Sequence, residues 1–150
     1  VTVPLAPQQL FTTSLLTLLR ASAGSGVAVG DHAVPTDAGD LYAILYQLDR
    51  GTAFSGPPLT APDADVTLEY QISSSGKSRM QAQWLADKLR TLILGRTESG
   101  AFGTALPAIA GWRVADRLPS SAASGVQVEG VAPQLRFTVQ DRYSLLVTPA

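Results

Sequence analysis

Apolar residues recur every three or four positions over residues 7–22 and again over 78–94, and every second position through much of the rest of the chain. In the first segment Phe11, Leu15, Leu18, Leu19 and Ser22 share one face, while Gln8, Gln9, Thr12, Thr13 and Arg20 occupy the remainder, which predicts an amphipathic helix. Pro7 suits a first helical turn, where its missing N–H costs nothing, and Gly24 and Gly26 are placed to end the helix. In the second segment Ala82, Leu85, Ala86, Leu89, Leu92 and Ile93 form a stripe about 120° wide, the expected core face. Met80, Trp84 and Thr91 lie on the other side of that cylinder, among Lys77, Asp87 and Lys88. Met80 and Trp84 are four residues apart and so can touch.

Strands are predicted over residues 27–34, 40–48, 65–73, 109–118, 125–131 and 135–147. Residues 41–48 are apolar on both faces, as in a strand that is central or covered on both sides. Val66, Leu68, Tyr70 and Ile72 alternate with Thr67, Glu69, Gln71 and Ser73, which marks a half-exposed strand with a core face. Residues 34–40 read as the turn between the first two strands, and Ser74, Ser75 and Gly76 as a turn into the second helix. Residues 50–63, with Gly51, Gly56, Pro57, Pro58 and Pro62, make a long loop, and residues 95–107 another. Phe54 and Leu59 are apolar positions within the first loop, which reads as a contact loop. The order of elements points to an α+β fold: a mostly antiparallel sheet with two main helices packed on it, in a single domain spanning 1–150.

Composition narrows the function more than the fold. The 150 residues are 45% hydrophobic, carry a formal net charge of −1 and contain no cysteine. Disulfides, thiol nucleophiles and cysteine metal sites are excluded, and a basic excess for binding nucleic acid is lacking. No run approaches the roughly 20 apolar residues of a membrane span, and no basic region followed by an apolar run marks a secretion signal, so a soluble protein is expected. The charge is uneven along the chain. Residues 1–76 hold two bases and seven acids, a net of −5, and residues 77–150 hold nine bases and five acids, a net of +4. Pairing within the chain would account for this; so would a subunit whose acidic side meets the basic side of a neighbour, as a heterologous ring requires.

Catalytic and ligand chemistry is sparse. His32, beside Asp31, is the only histidine, and it reads as an ordinary strand residue. Asp63-Ala64-Asp65 lacks the ligand count and the glycine of a calcium loop. Gly76-Lys77-Ser78 follows a strand and opens a helix, the setting of a phosphate-binding loop. Such a loop needs a glycine five residues earlier, and that position is Gln71 within a strand. Ser78 as a helix cap with Gln81 three residues on is the plainer account. No catalytic residue, metal or cofactor is expected.

The segment Tyr70-Gln71-Ile72-Ser73-Ser74-Ser75-Gly76, followed by Arg79-Met80-Gln81-Ala82-Gln83-Trp84-Leu85-Ala86-Asp87-Lys88-Leu89-Arg90, resembles tail terminator proteins of long-tailed, siphovirus-type phages of actinobacteria. The close match covers about 20 residues, and the remaining layout agrees in organisation. The resemblance implies a subunit of a homo-oligomeric ring, a hexamer, at the neck of the virion. That ring would cap the tail tube made of the major tail protein, stop its polymerisation and meet the head-side connector, with DNA passing through unbound. It implies no catalysis and no cofactor. Arg79, Gln83, Trp84 and Arg90 match the motif and face away from the core stripe, so they are the candidate interface residues, together with Phe54 and Leu59. Other readings are another neck component, such as a head-closure or connector protein, or a small nucleotide- or ligand-binding domain using Gly76-Lys77-Ser78.

Overall fold

A computed structural model describes residues 7–51, 65–120 and 125–150. Phe54 and Leu59 lie outside the described residues. The elements run α1 (Gln8–Ser22), β1 (Val27–Asp31), β2 (Leu41–Gly51), β3 (Val66–Gly76), α2 (Arg79–Leu94), β4 (Trp112–Pro119), β5 (Gln127–Glu129) and β6 (Arg136–Pro149). The strands form one six-stranded sheet in the order β1-β2-β3-β6-β4, with β5 beside another stretch of β6. Among the described residues, only β1 and β2 pair in parallel. This is the α+β architecture that the alternation of periods predicts, a mostly antiparallel sheet carrying two helices.

Register explains which face is core. Across β2, β3 and β6, Ile72 lies opposite Leu45 and Asp141, and Tyr70 opposite Gln47 and Tyr143. Leu68 faces Leu145 and Val66 faces Val147 in the same rows. Because side chains alternate along a strand, these rows point one way, toward both helices. Phe11, Leu15, Leu16 and Leu19 of α1 and Leu85, Leu89 and Ile93 of α2 complete this core. Each fully buried leucine contributes about 1.5–3 kcal/mol, so these two stripes hold the layers together.

Four local expectations are corrected by packing. Ser74, Ser75 and Gly76 do not turn the chain: they continue β3, paired with β2 or β6, and are buried. The first strand ends at Asp31 and not at residue 34, and because β1 and β2 are parallel the connection of residues 32–40 carries the chain back alongside β1, with Gly30 packed against Ala33 and Pro35. On α1 the buried face is rotated toward Thr12 and Leu16, leaving Leu18 and Ser22 partly exposed. In β4 the strand starts at Trp112, because Ile109 to Gly111 form a turn closed by a bond from Trp112 N to Ile109 O of 3.1 Å.

Thr12 is buried because it has partners. The Tyr70 hydroxyl lies 3.1 Å from Thr12 Oγ1, and Thr12 Oγ1 donates to Gln47 Oε1 at 2.8 Å. With the phenol donating to Thr12, both protons in this relay are used. Burial pushes the Tyr70 phenol up to about 12. An unfolded tyrosine ionises near pH 10, so the stability from this neutral phenol is complete below pH 10 and lost as pH rises toward 12. Denaturant unfolding at pH 8, 10 and 11 should show a fall to which this phenol contributes about 1.4 kcal/mol at pH 11, and Tyr70→Phe should make that fall shallower.

Lys77 and Ser78 alone separate β3 from α2. A Cβ at Gly76 would stand 2.8 Å from Gln81 Cβ and 3.1 Å from Ala82 N, both in the first turns of the helix. Gly76→Ala should therefore destabilise the protein by about 1–3 kcal/mol in thermal or chemical unfolding, through displacement of α2.

Candidate functional site

The entry to α2 is a helix cap. Ser78 is the N-cap residue, its hydroxyl accepts from Gln81 N at 3.2 Å, and Gln81 Oε1 accepts from Lys77 N at 2.9 Å. The Lys77 ammonium sits 2.9 Å from the Asp40 carboxylate and holds that acid below its usual range. The Lys77 amide and ammonium that a phosphate would need are engaged within the chain, and Gln71 lies inside β3. Gly76-Lys77-Ser78 works as strand end, ion-pair partner and cap.

His32 is also accounted for. It sits just beyond β1 at φ 58°, and its Nε2 accepts from Gln47 N at 2.9 Å. The ring proton is therefore on Nδ1, which donates to the Asp31 carboxylate. Neither nitrogen is left to take a proton from a nucleophile. Among the described residues, no three His, Asp or Glu side chains converge as metal ligands, and no helix is long and apolar enough to cross a membrane.

What remains is the outer face of α2. Ala82, Leu85, Ala86, Leu89 and Ile93 are buried as the periodicity predicts, and Leu92 is partly buried at the edge of the stripe. On the opposite face Met80 is 76% exposed and Trp84 52% exposed, so no described segment folds over the indole. Arg79 and Gln83 are exposed beside them. The Lys88 ammonium stands 5.0 Å from the Trp84 ring centre and donates to Ala23 O at 2.9 Å, tying α2 to the end of α1. The result is an exposed apolar pair with Arg79, Lys88 and the Arg90-paired Asp87 around it, and of these Met, Trp and Arg are residue types that interfaces favour.

Arg90 is placed differently from its three companions. It spans from Asp87, 2.9 Å away, to Asp141 on β6, 2.8 Å away, and the Asp141 side chain is only 8% exposed. The Asp141 hydrogen bond is the main cause that raises the guanidinium above its ordinary range. Arg90 thus tethers helix to sheet while its outer side borders a shallow groove of about 370 Å³, lined by Gln83, Ala86 and Val139 among others. Sequence reasoning passed over Asp141, although the signal was present: it interrupts the inward row Val139, Tyr143, Leu145, Val147 at its own position in the alternation.

Arg117 was missed as well. Its guanidinium is buried, donates to Ile93 O at 3.2 Å at the end of α2, and lies 4.4 Å from the Phe102 ring. Desolvation and the nearby Arg96 lower its affinity for the proton. A cation at a helix C-terminus meets carbonyls with no partner in the helix, which offsets part of that burial.

The tether and the exposed indole should separate in stability measurements. Arg90→Ala leaves the buried Asp141 carboxylate without a cation and should cost about 2 kcal/mol in denaturant unfolding. Trp84→Ala, on a half-exposed site, should cost under about 0.5 kcal/mol if the ring has no folding role.

No protein-family model matches the sequence, and no curated protein does at a significant level. Among solved structures, the chain is similar to one from a structure described as the virion of a native gene transfer agent particle. The TM-score is 0.58 at 16% identity, with 95% of each chain covered. At this identity the likeness is one of fold, and the coverage makes it a likeness of the whole chain and not of a fragment.

Proposed function

We propose that this protein is a structural subunit of a phage-type virion, and within it a tail terminator: a ring, hexameric by the family resemblance, that caps the tail tube, stops its growth and meets the head-side connector. The observation that carries this reading is the end-to-end likeness of fold to a chain of a virion particle. The motif on β3 and α2 adds the terminator role, and it sits where the helix turns Arg79, Gln83 and Trp84 outward. In this reading DNA crosses the ring without specific contacts, in line with a net charge of −1.

Another neck component shares the virion setting and ring assembly and differs in what it docks on. The experiment is therefore one of docking: purified protein is added to polymerising tail-tube protein, and tube length and tube ends are followed by electron microscopy. A terminator should shorten the tubes and leave a ring on one end. Unrestricted tube growth with rings bound to the connector would assign it to head closure, and a protein that joins neither would overturn the virion reading.

A further inference from the structure

The outer edge of β1 lies at the floor of a cleft. β1 is the terminal strand of the sheet and pairs only with β2 among the described residues. In a parallel pair, alternate residues turn both backbone groups toward the neighbour, and the residues between them turn both away. His32 N donates to Leu45 O of β2 at 3.0 Å, which sets the phase: Ala28 and Gly30 also face β2, while Val27, Val29 and Asp31 face outward. Arg20 Nε, donating to Val29 O at 3.1 Å from α1, agrees with this phase. Val27 N is bonded to Gly24 O at 3.4 Å. The amides of Val29 and Asp31 and the carbonyls of Val27 and Asp31 have no hydrogen-bond partner among the described residues. Val29 is only 5% exposed, and backbone groups of buried residues are nearly always paired. Two walls rise from this edge. Val29 points into the core beneath α1, whose Arg20 forms one wall. Gly30 faces the other way, and there residues 33–37 pass so close that a Cβ would meet Ala33 O at 2.0 Å. The space between the walls is about 590 Å³.

We propose that this cleft binds an extended peptide segment of a different protein by strand addition to β1. A strand edge with open donors and acceptors, walled on both faces, has the shape and the hydrogen-bonding pattern of one further strand. The added segment supplies acceptors for Val29 N and Asp31 N and donors for Val27 O and Asp31 O, at the spacing of a ladder. Recognition is by main chain and not by net charge, because the walls carry both signs, Arg20 against Asp31 and Asp37. A second copy of this chain is a poor occupant. Its outer strands away from β1 are β5, three residues long against five in β1, and β4, whose register breaks between Val114 and Asp116. An irregularity of that kind bends an edge away from regular pairing. A segment from another polypeptide has neither limit. The proposal goes beyond the terminator reading and does not depend on it.

The test is amide hydrogen exchange of the full chain, followed by NMR of the isotope-labelled protein. The probe is a capped Thr-Val-Thr-Val-Thr peptide at millimolar concentration, and the control is the same peptide with every amide methylated. In the free protein the Val29 and Asp31 amides should exchange about 100-fold faster than those of Ala28 and Gly30, which are held by β2. The peptide should slow Val29 and Asp31 by about tenfold or more, and the methylated copy, which cannot donate to β1, should not. A peptide that leaves both amides unchanged, or that acts no better than its methylated copy, would overturn the proposal. Slow exchange at Val29 and Asp31 in the free chain at every protein concentration would also overturn it, since a segment of this chain would then occupy the edge. Slowing that grows with protein concentration in the absence of peptide would give the edge to a second copy and overturn it likewise. The tube-capping experiment judges the terminator reading separately in every case.

Discussion

The two-residue link between β3 and α2 is the constraint on which most of the structure depends. With only Lys77 and Ser78 between them, the helix must reverse directly off the strand and lie back over the sheet. Its first turns then come so close to the strand end that only small residues fit there. Gly76 meets Gln81 and Ala82 without a side chain, Ser74 and Ser75 are buried, and Ala82 and Ala86 face Val139. Farther along, the layers separate enough to admit Leu85, Leu89 and Ile93 over Tyr70 and Leu145. The same geometry fixes which side of α2 is left outside. Trp84 is exposed because Leu85 and Ala82 are not.

A second theme is the use of long cations to finish elements. Lys88 donates to Ala23 O at the end of α1, and Arg117 donates to Ile93 O in the last turn of α2. Arg20 does the same for Val29 O on β1, and Arg136 reaches Asp40 O and Gly39 O while lying over the Tyr42 ring. Carbonyls at helix ends have no partner within the helix and carry partial negative charge, so a guanidinium or ammonium satisfies them without needing a carboxylate. Much of the basic excess in the C-terminal half is accounted for in this way. Arg79 on α2 is an exception: its side chain is exposed and makes no hydrogen bond or ion pair among the described residues.

Polar residues on the inward rows also have defined duties. Asp141 holds Arg90 and through it joins α2 to β6, while Thr12, Gln47 and Tyr70 form a relay that joins α1 to β2 and β3. Such groups add orientation to layers that hydrophobic burial alone would hold less specifically. They are structural in character, as are the engaged His32 and the capped start of α2.

Local pattern was enough for much of this. The period of the apolar residues marked both helices, the buried stripe of α2, the core row of β3 and the cap at Ser78, because these depend on neighbours within one turn or one strand. The outward position of Arg79, Gln83 and Trp84 was legible for the same reason, being the complement of the stripe. Only tertiary structure decided that β1 and β2 run parallel, that Ser74 to Gly76 extend a strand, and that α1 turns Thr12 inward. It alone set Arg90 on Asp141 and Arg117 on the end of α2. Each of these depends on partners tens of residues away, through strand register or through a side chain reaching another element, and a distance along the chain carries no record of a distance in space.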